Sequence, residues 1–93
     1  MVKRKISVPY SPSIGSWLQE LRENKGLTQR ELADILGLST PQMISNWENG
    51  RCAPSFSQLA VLSKVFDVTQ KEMIDKLMDE QRKIFSESFS ELT

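Results

Sequence analysis

Three glycines divide the first half of this chain into segments that have room only for short helices. Gly26, Gly37 and Gly50 each follow an apolar pattern with steps of three or four residues. Just past a helix end, glycine adopts the left-handed backbone conformation without a side-chain clash, so it is a common stop signal. Before Gly26 the apolar residues are Ile14, Trp17, Leu18 and Leu21. Before Gly37 they are Leu32, Ala33, Ile35 and Leu36, and before Gly50 they are Ile44 and Trp47. This spacing predicts amphipathic helices that bury these residues. No stretch alternates apolar and polar residues with period two, so no sheet is predicted.

The start signals agree with the stops. Pro9 and Pro12 break any helix in residues 1–12, which read as a flexible arm carrying the basic cluster Lys3, Arg4 and Lys5. The first helix is predicted from Ser13. Thr28-x-x-Glu31 is a capping box, in which the hydroxyl and the carboxylate each satisfy one orphan backbone N–H. Two starts compete for the third helix: Thr40 as cap with Pro41 at the first helical position, or a box Ser39-x-x-Gln42. The Thr40 start is preferred, because it puts Pro41 at a favoured site; this helix runs to about Asn49. Pro54 closes the loop after Gly50. A fourth helix, Ser55 to Phe66, is expected to bury Phe56, Leu59, Leu62 and Val65. A fifth follows the box Thr69-x-x-Glu72, with Met73, Ile74, Leu77 and Met78 on its apolar side. The fold class is all-α, five helices with a C-terminal helical extension.

Composition limits the function classes. Ninety-three residues make one domain, too small for an enzyme with an interdomain cleft. The chain has one cysteine, Cys52, and no histidine, so no internal disulfide and no metal site is expected, and no cofactor is implied. There is no apolar run long enough for a membrane span and no leader pattern, so a cytoplasmic, nucleoid-associated protein without membrane contact is expected. Glu20, Glu23, Asp75, Asp79 and Glu80 are read on polar helix faces, which argues against a catalytic carboxylate pair and against an enzyme. The 12 basic and 12 acidic residues cancel, a count that disfavours a phosphate-binding partner. Their distribution is uneven: residues 1–51 hold seven Lys or Arg against five acids, a local net charge of +2.

The stretch GLTQRELADILGLSTPQMISNWENGRCAPS carries a resemblance. It is similar to the family of the phage lambda and 434 repressors and Cro proteins, XRE-like helix-turn-helix proteins, over about residues 13–68. Residues 28–50 would hold the DNA-reading motif. The resemblance implies a sequence-specific regulator, read here as a repressor, that binds double-stranded DNA with the helix at 40–49 in the major groove. Pro41, Gln42, Met43, Ser45 and Asn46 then fall on the base-contacting side of that helix. Amide side chains such as Gln42 and Asn46 suit an adenine edge, and Met43 suits a thymine methyl group. Thr28, Gln29, Arg30, Asn49, Arg51 and Ser55 fall at positions that would hold the DNA backbone. Arg22 and Glu48 match a family ion pair that would lock the third helix. One departure stands out. Six residues lie between Gly37 and Ile44, where most members of the family have one fewer, which points to a longer turn.

Residues 69–93 are read as a helix and tail for self-association. Met78, Phe85 and Leu92 recur every seven residues, with Phe89 beside them. This stripe would fold back on the domain or pair with a second copy, and a homodimer is preferred because it would present two reading helices. Two other readings stay open: an antitoxin-type module that sheathes a protein partner with this stripe, and an adaptor that has lost DNA binding.

Overall fold

The computed structural model describes residues 10–92, with side chains through Ser90. The cluster Lys3, Arg4 and Lys5 and the side chain of Leu92 lie outside the described residues. Within these limits the chain is all helical: α1 Pro12–Asn24, α2 Gln29–Ile35, α3 Gln42–Glu48, α4 Phe56–Val65 and α5 Gln70–Leu92, with no strand.

The helix starts follow local chemistry. The Thr28–Glu31 box forms with both hydrogen bonds at 3.0 Å. Ser55 and Gln58 form a second reciprocal box that the sequence reading did not single out. At Thr69 the hydroxyl accepts from the Glu72 N–H at 3.1 Å. The expected break at Pro12 is corrected: Pro12 is the first residue of α1, where a missing N–H costs nothing because that group has no helical partner.

The helix ends share one device. After α1 the Leu27 N–H reaches back to the Arg22 carbonyl and the Gly26 N–H to Glu23. The same pair of bonds closes α2, α3 and α4, and it needs a left-handed residue each time. Gly26, Gly37 and Gly50 supply it, and after α4 Asp67 does so with φ of 54°.

Ile14 and Leu18 of α1, Leu32 and Ala33 of α2, Ile44 and Trp47 of α3, Leu59 and Leu62 of α4, and Met73 and Leu77 of α5 form one core. The space left among Leu18, Leu32, Ile44, Trp47, Leu62 and Phe66 is about 10 Å³, at or below what one water needs. Burial of each such side chain is worth about 1.5–3 kcal/mol. Several residues expected inside are not. Ile35, Phe56, Ile74 and Met78 are roughly half exposed, and Trp17, Leu21, Leu36 and Val65 are only partly buried. On α5 the inward residues are Met73, Leu77 and Glu80, which turns Ile74 and Met78 about 100° away from the core. Glu80 also departs from expectation. It is buried, not on a polar face, and accepts a hydrogen bond from the Ser13 hydroxyl at 2.8 Å.

Candidate nucleic-acid interface

Two short helices and the turn between them build the site. At the end of α2 the Leu38 N–H bonds to the Ala33 carbonyl at 2.9 Å and Gly37 to Asp34 at 3.2 Å. These bonds fix where the chain leaves α2. Ala33 is fully buried there, and a larger side chain would hold the neighbouring helices apart. The turn then runs from Leu38 to Pro41. The Thr40 hydroxyl accepts from the Gln42 N–H at 3.3 Å, and the Pro41 carbonyl accepts from Ser45. The turn is the longer one, but Pro41 and not Thr40 takes the cap position, which corrects the expected start by one residue. The regular helix is counted from Gln42, so Pro41 sits at the boundary with helical φ of −78°. Among the described residues Ser39 makes no cap bond.

Ile44, Trp47 and Glu48 of α3 are buried. With 3.6 residues per turn, Gln42, Ser45, Asn46 and Asn49 therefore face outward together. Their polar groups are already ordered. Gln42 Nε2 donates to Asn46 Oδ1 at 3.0 Å, and Asn49 Nδ2 donates to the Ser45 carbonyl at 2.8 Å. The Gln42–Asn46 pair uses one hydrogen of one amide and one lone pair of the other. Each side chain keeps both donor and acceptor capacity for a further partner. Met43 lies beside this row, exposed, with its sulfur 3.9 Å from Cys52 Sγ.

Beneath the row sits a buried clamp. Arg22 Nε and Nη2 donate to the two Glu48 oxygens at 2.6 and 3.0 Å. Arg22 Nη1 donates to the Leu27 carbonyl at 2.7 Å, and Gln29 Nε2 donates to Glu48 at 2.9 Å. The hydrogen bond to Glu48 raises the Arg22 pKa further, against a smaller opposing effect of burial. A planar guanidinium held at two points fixes direction as well as distance. The clamp thus ties α1, α2 and α3 together at the root of the outward row.

The residues at expected backbone-contact positions are less uniform. The Thr28 and Ser55 hydroxyls each accept from a helix N–H while their own hydrogens stay available. Arg30 lies 3.7 Å from Asp34, with both exposed. Arg51 is exposed, and no carboxylate pairs with it among the described residues. Gln29 points to Glu48, not outward.

Sequence reasoning missed the segment at Tyr10 to Gly15. The Tyr10 hydroxyl donates to the Trp47 carbonyl at 2.6 Å. Burial, then the nearby Cys52 and Glu48, push its pKa well above the usual phenol value, so it stays protonated and a donor. A Cβ on Gly15 would lie 2.4 Å from the Trp47 oxygen and 2.6 Å from that of Glu48. A glycine inside a helix costs about 1 kcal/mol against alanine, and that misplaced residue was the available signal of a close approach. Ser11 and Ser13, with Lys83 and Lys76 further off, hold the Glu80 pKa below the ordinary glutamate value. Among the described residues, no group of His, Cys, Asp and Glu is placed to hold a metal ion. No described helix is long and apolar enough to cross a membrane.

Comparison with known proteins agrees with this geometry. The helix-turn-helix family model matches residues 18–70. The chain is 44% identical over 57 residues to the HTH-type transcriptional activator BcrR of Enterococcus faecalis, covering 61% of this chain and 28% of that protein. It is 40% identical over 63 residues to the putative HTH-type transcriptional regulatory protein TK0539 of Thermococcus kodakarensis, covering 68% of this chain and 20% of that one. It is 36% identical over 62 residues to the HTH-type transcriptional regulator PuuR of Escherichia coli, covering 67% and 33%. The chain thus spans a third or less of the length of these relatives.

Proposed function

Because this chain belongs to the helix-turn-helix family, we propose that it is a sequence-specific DNA-binding regulator of transcription that inserts α3 into the major groove. The observation that carries the reading is the outward row of Gln42, Ser45, Asn46 and Asn49 above a buried clamp. A row of ordered amides on a rigid short helix matches the donor and acceptor pattern of base edges. Pro41 and Met43 flank the row, and Met43 supplies an apolar contact. Thr28, Gln29, Arg30, Asn49, Arg51 and Ser55 hold the two phosphate backbones on either side. For Gln29 this requires its amide to turn from Glu48, or to share its second hydrogen. The relatives are named as regulators of transcription, which supports the same role here, and one of them is an activator. Repression is the proposed mode, because a bound domain blocks a promoter without further contacts.

The exposed stripe of Met78, Phe85 and Phe89 on α5 supports a homodimer that offers two reading helices. Its occupant in a second reading is a different protein, and the same exposure favours that equally.

The test of DNA reading is selection from random duplexes, followed by fluorescence anisotropy on the selected sequence. Asn46→Ala and Gln42→Ala should each lose about 1–3 kcal/mol of discrimination, with circular dichroism unchanged. Absence of any enriched sequence, together with binding that ignores salt, would sink the reading.

A further inference from the structure

We propose that residues Tyr10 to Gly15 form a strap that sets the orientation of α3 for DNA reading, with Tyr10 as its positioning residue. The inference rests on the DNA-reading function above.

α3 has seven residues, too few to hold its own direction. Its N-terminal end is fixed by the Thr40 turn and its inner face by Ile44, Trp47 and Glu48. The strap holds the remaining end. Tyr10 donates to the Trp47 carbonyl at 2.6 Å, and the same oxygen accepts the Gly50 N–H at 3.0 Å. Pro12 passes so close to Gly50 that a Cβ there would lie 2.8 Å from the Pro12 Cα. Gly15 lies directly against the Trp47 and Glu48 carbonyls. Thus three points of one short segment meet the last turn of α3 and the residue that ends it. The strap is anchored from its other side, where Ser13 donates to the buried Glu80 of α5 at 2.8 Å and bonds to Ser11 at 2.9 Å. A helix of seven residues is about 10 Å long, so a tilt of about 6° displaces its far end by about 1 Å. That displacement spoils hydrogen bonds from Gln42 and Asn46 to a base edge.

Tyr10→Phe removes the hydroxyl and keeps the ring. The wild-type chain and this variant are compared on the selected duplex and on a scrambled one, well below both melting temperatures. Affinity for the selected duplex should fall about two- to tenfold, the weight of one hydrogen bond. Affinity for the scrambled duplex should stay constant. Backbone amide resonances from Trp47 to Arg51 should shift, while those of Leu32 and Leu59 hold. A merely stabilising Tyr10 would lower the melting temperature and leave the ratio of the two affinities alone. If the wild type discriminates and Tyr10→Phe discriminates equally, the strap is overturned and DNA reading stands. If the wild type prefers no sequence, the DNA-reading function fails and the strap fails with it.

Discussion

Replacing Glu48 with alanine leaves the Arg22 guanidinium in place with its main partner gone. Arg22 is 8% exposed and Glu48 7%, so the pair lies where water cannot substitute. The substitution removes the acceptors of Arg22 Nε at 2.6 Å and Nη2 at 3.0 Å, and of Gln29 Nε2 at 2.9 Å. The cation keeps one hydrogen bond, from Nη1 to the Leu27 carbonyl, and the exposed Glu23 carboxylate at 3.9 Å from Nη2, too far for a hydrogen bond. A buried charge left unpaired costs about 3–5 kcal/mol. For a domain of this size each kcal/mol lowers Tm by about 4–8 °C, so the loss should exceed about 12 °C. The paired replacement Arg22→Met with Glu48→Leu should recover most of that stability, because the desolvation of both charges disappears with them. It should not recover DNA affinity in full, since the two-point guanidinium contact at the root of the outward row is gone. Urea unfolding followed by tryptophan fluorescence, to which Trp17 and the buried Trp47 both contribute, measures both variants. A cost below about 1 kcal/mol for Glu48→Ala would refute the reasoning, because that is the range of exposed pairs.

Two further substitutions probe other parts of the molecule. Gly15→Ala should destabilise the fold by about 1–3 kcal/mol in thermal melts, since its Cβ would meet two backbone oxygens that cannot rotate away; a neutral or stabilising result would show that α1 and α3 are not in such close contact. Phe85→Asp with Phe89→Asp should turn a dimer into a monomer in analytical ultracentrifugation without lowering Tm, because both rings are more than half exposed in the single chain; a wild-type monomer, or a dimer that survives, would rule out the stripe as the self-association surface.

What the sequence disclosed was local, and what it concealed was tertiary. The Thr28–Glu31 box and the stops at Gly26, Gly37 and Gly50 depend on residues a few positions apart, and all were legible. The Arg22–Glu48 pair spans the domain and was legible only through the family resemblance. Ile35 and Phe56 have apolar side chains at helical spacing, yet lie about half exposed because their helices present a neighbouring edge to the core. Burial of Glu80 depends on Ser13, which is 67 positions away, and no local pattern announces it. The Tyr10 bond to Trp47 is a contact between a side chain and a carbonyl, and every residue has a carbonyl.

Electrostatics bears on how such a domain would bind DNA at all. Of the described charges near α2 and α3, Glu48 is neutralised by Arg22 and Arg30 lies beside Asp34. Arg51 is the cation there without a described carboxylate partner. Each phosphate neutralised contributes a salt slope of about 0.9, so one domain surface of this kind gives weak non-specific attraction. Lys3, Arg4 and Lys5 precede Tyr10, whose hydroxyl is fixed at the end of α3. Even with them, charge attracts every sequence alike, so the proposed function assigns the discrimination to the amide row. Amide contacts to a few bases yield modest affinity for one site. Doubling the row through the proposed α5 pairing multiplies that affinity without adding the positive charge that would raise binding to every sequence equally.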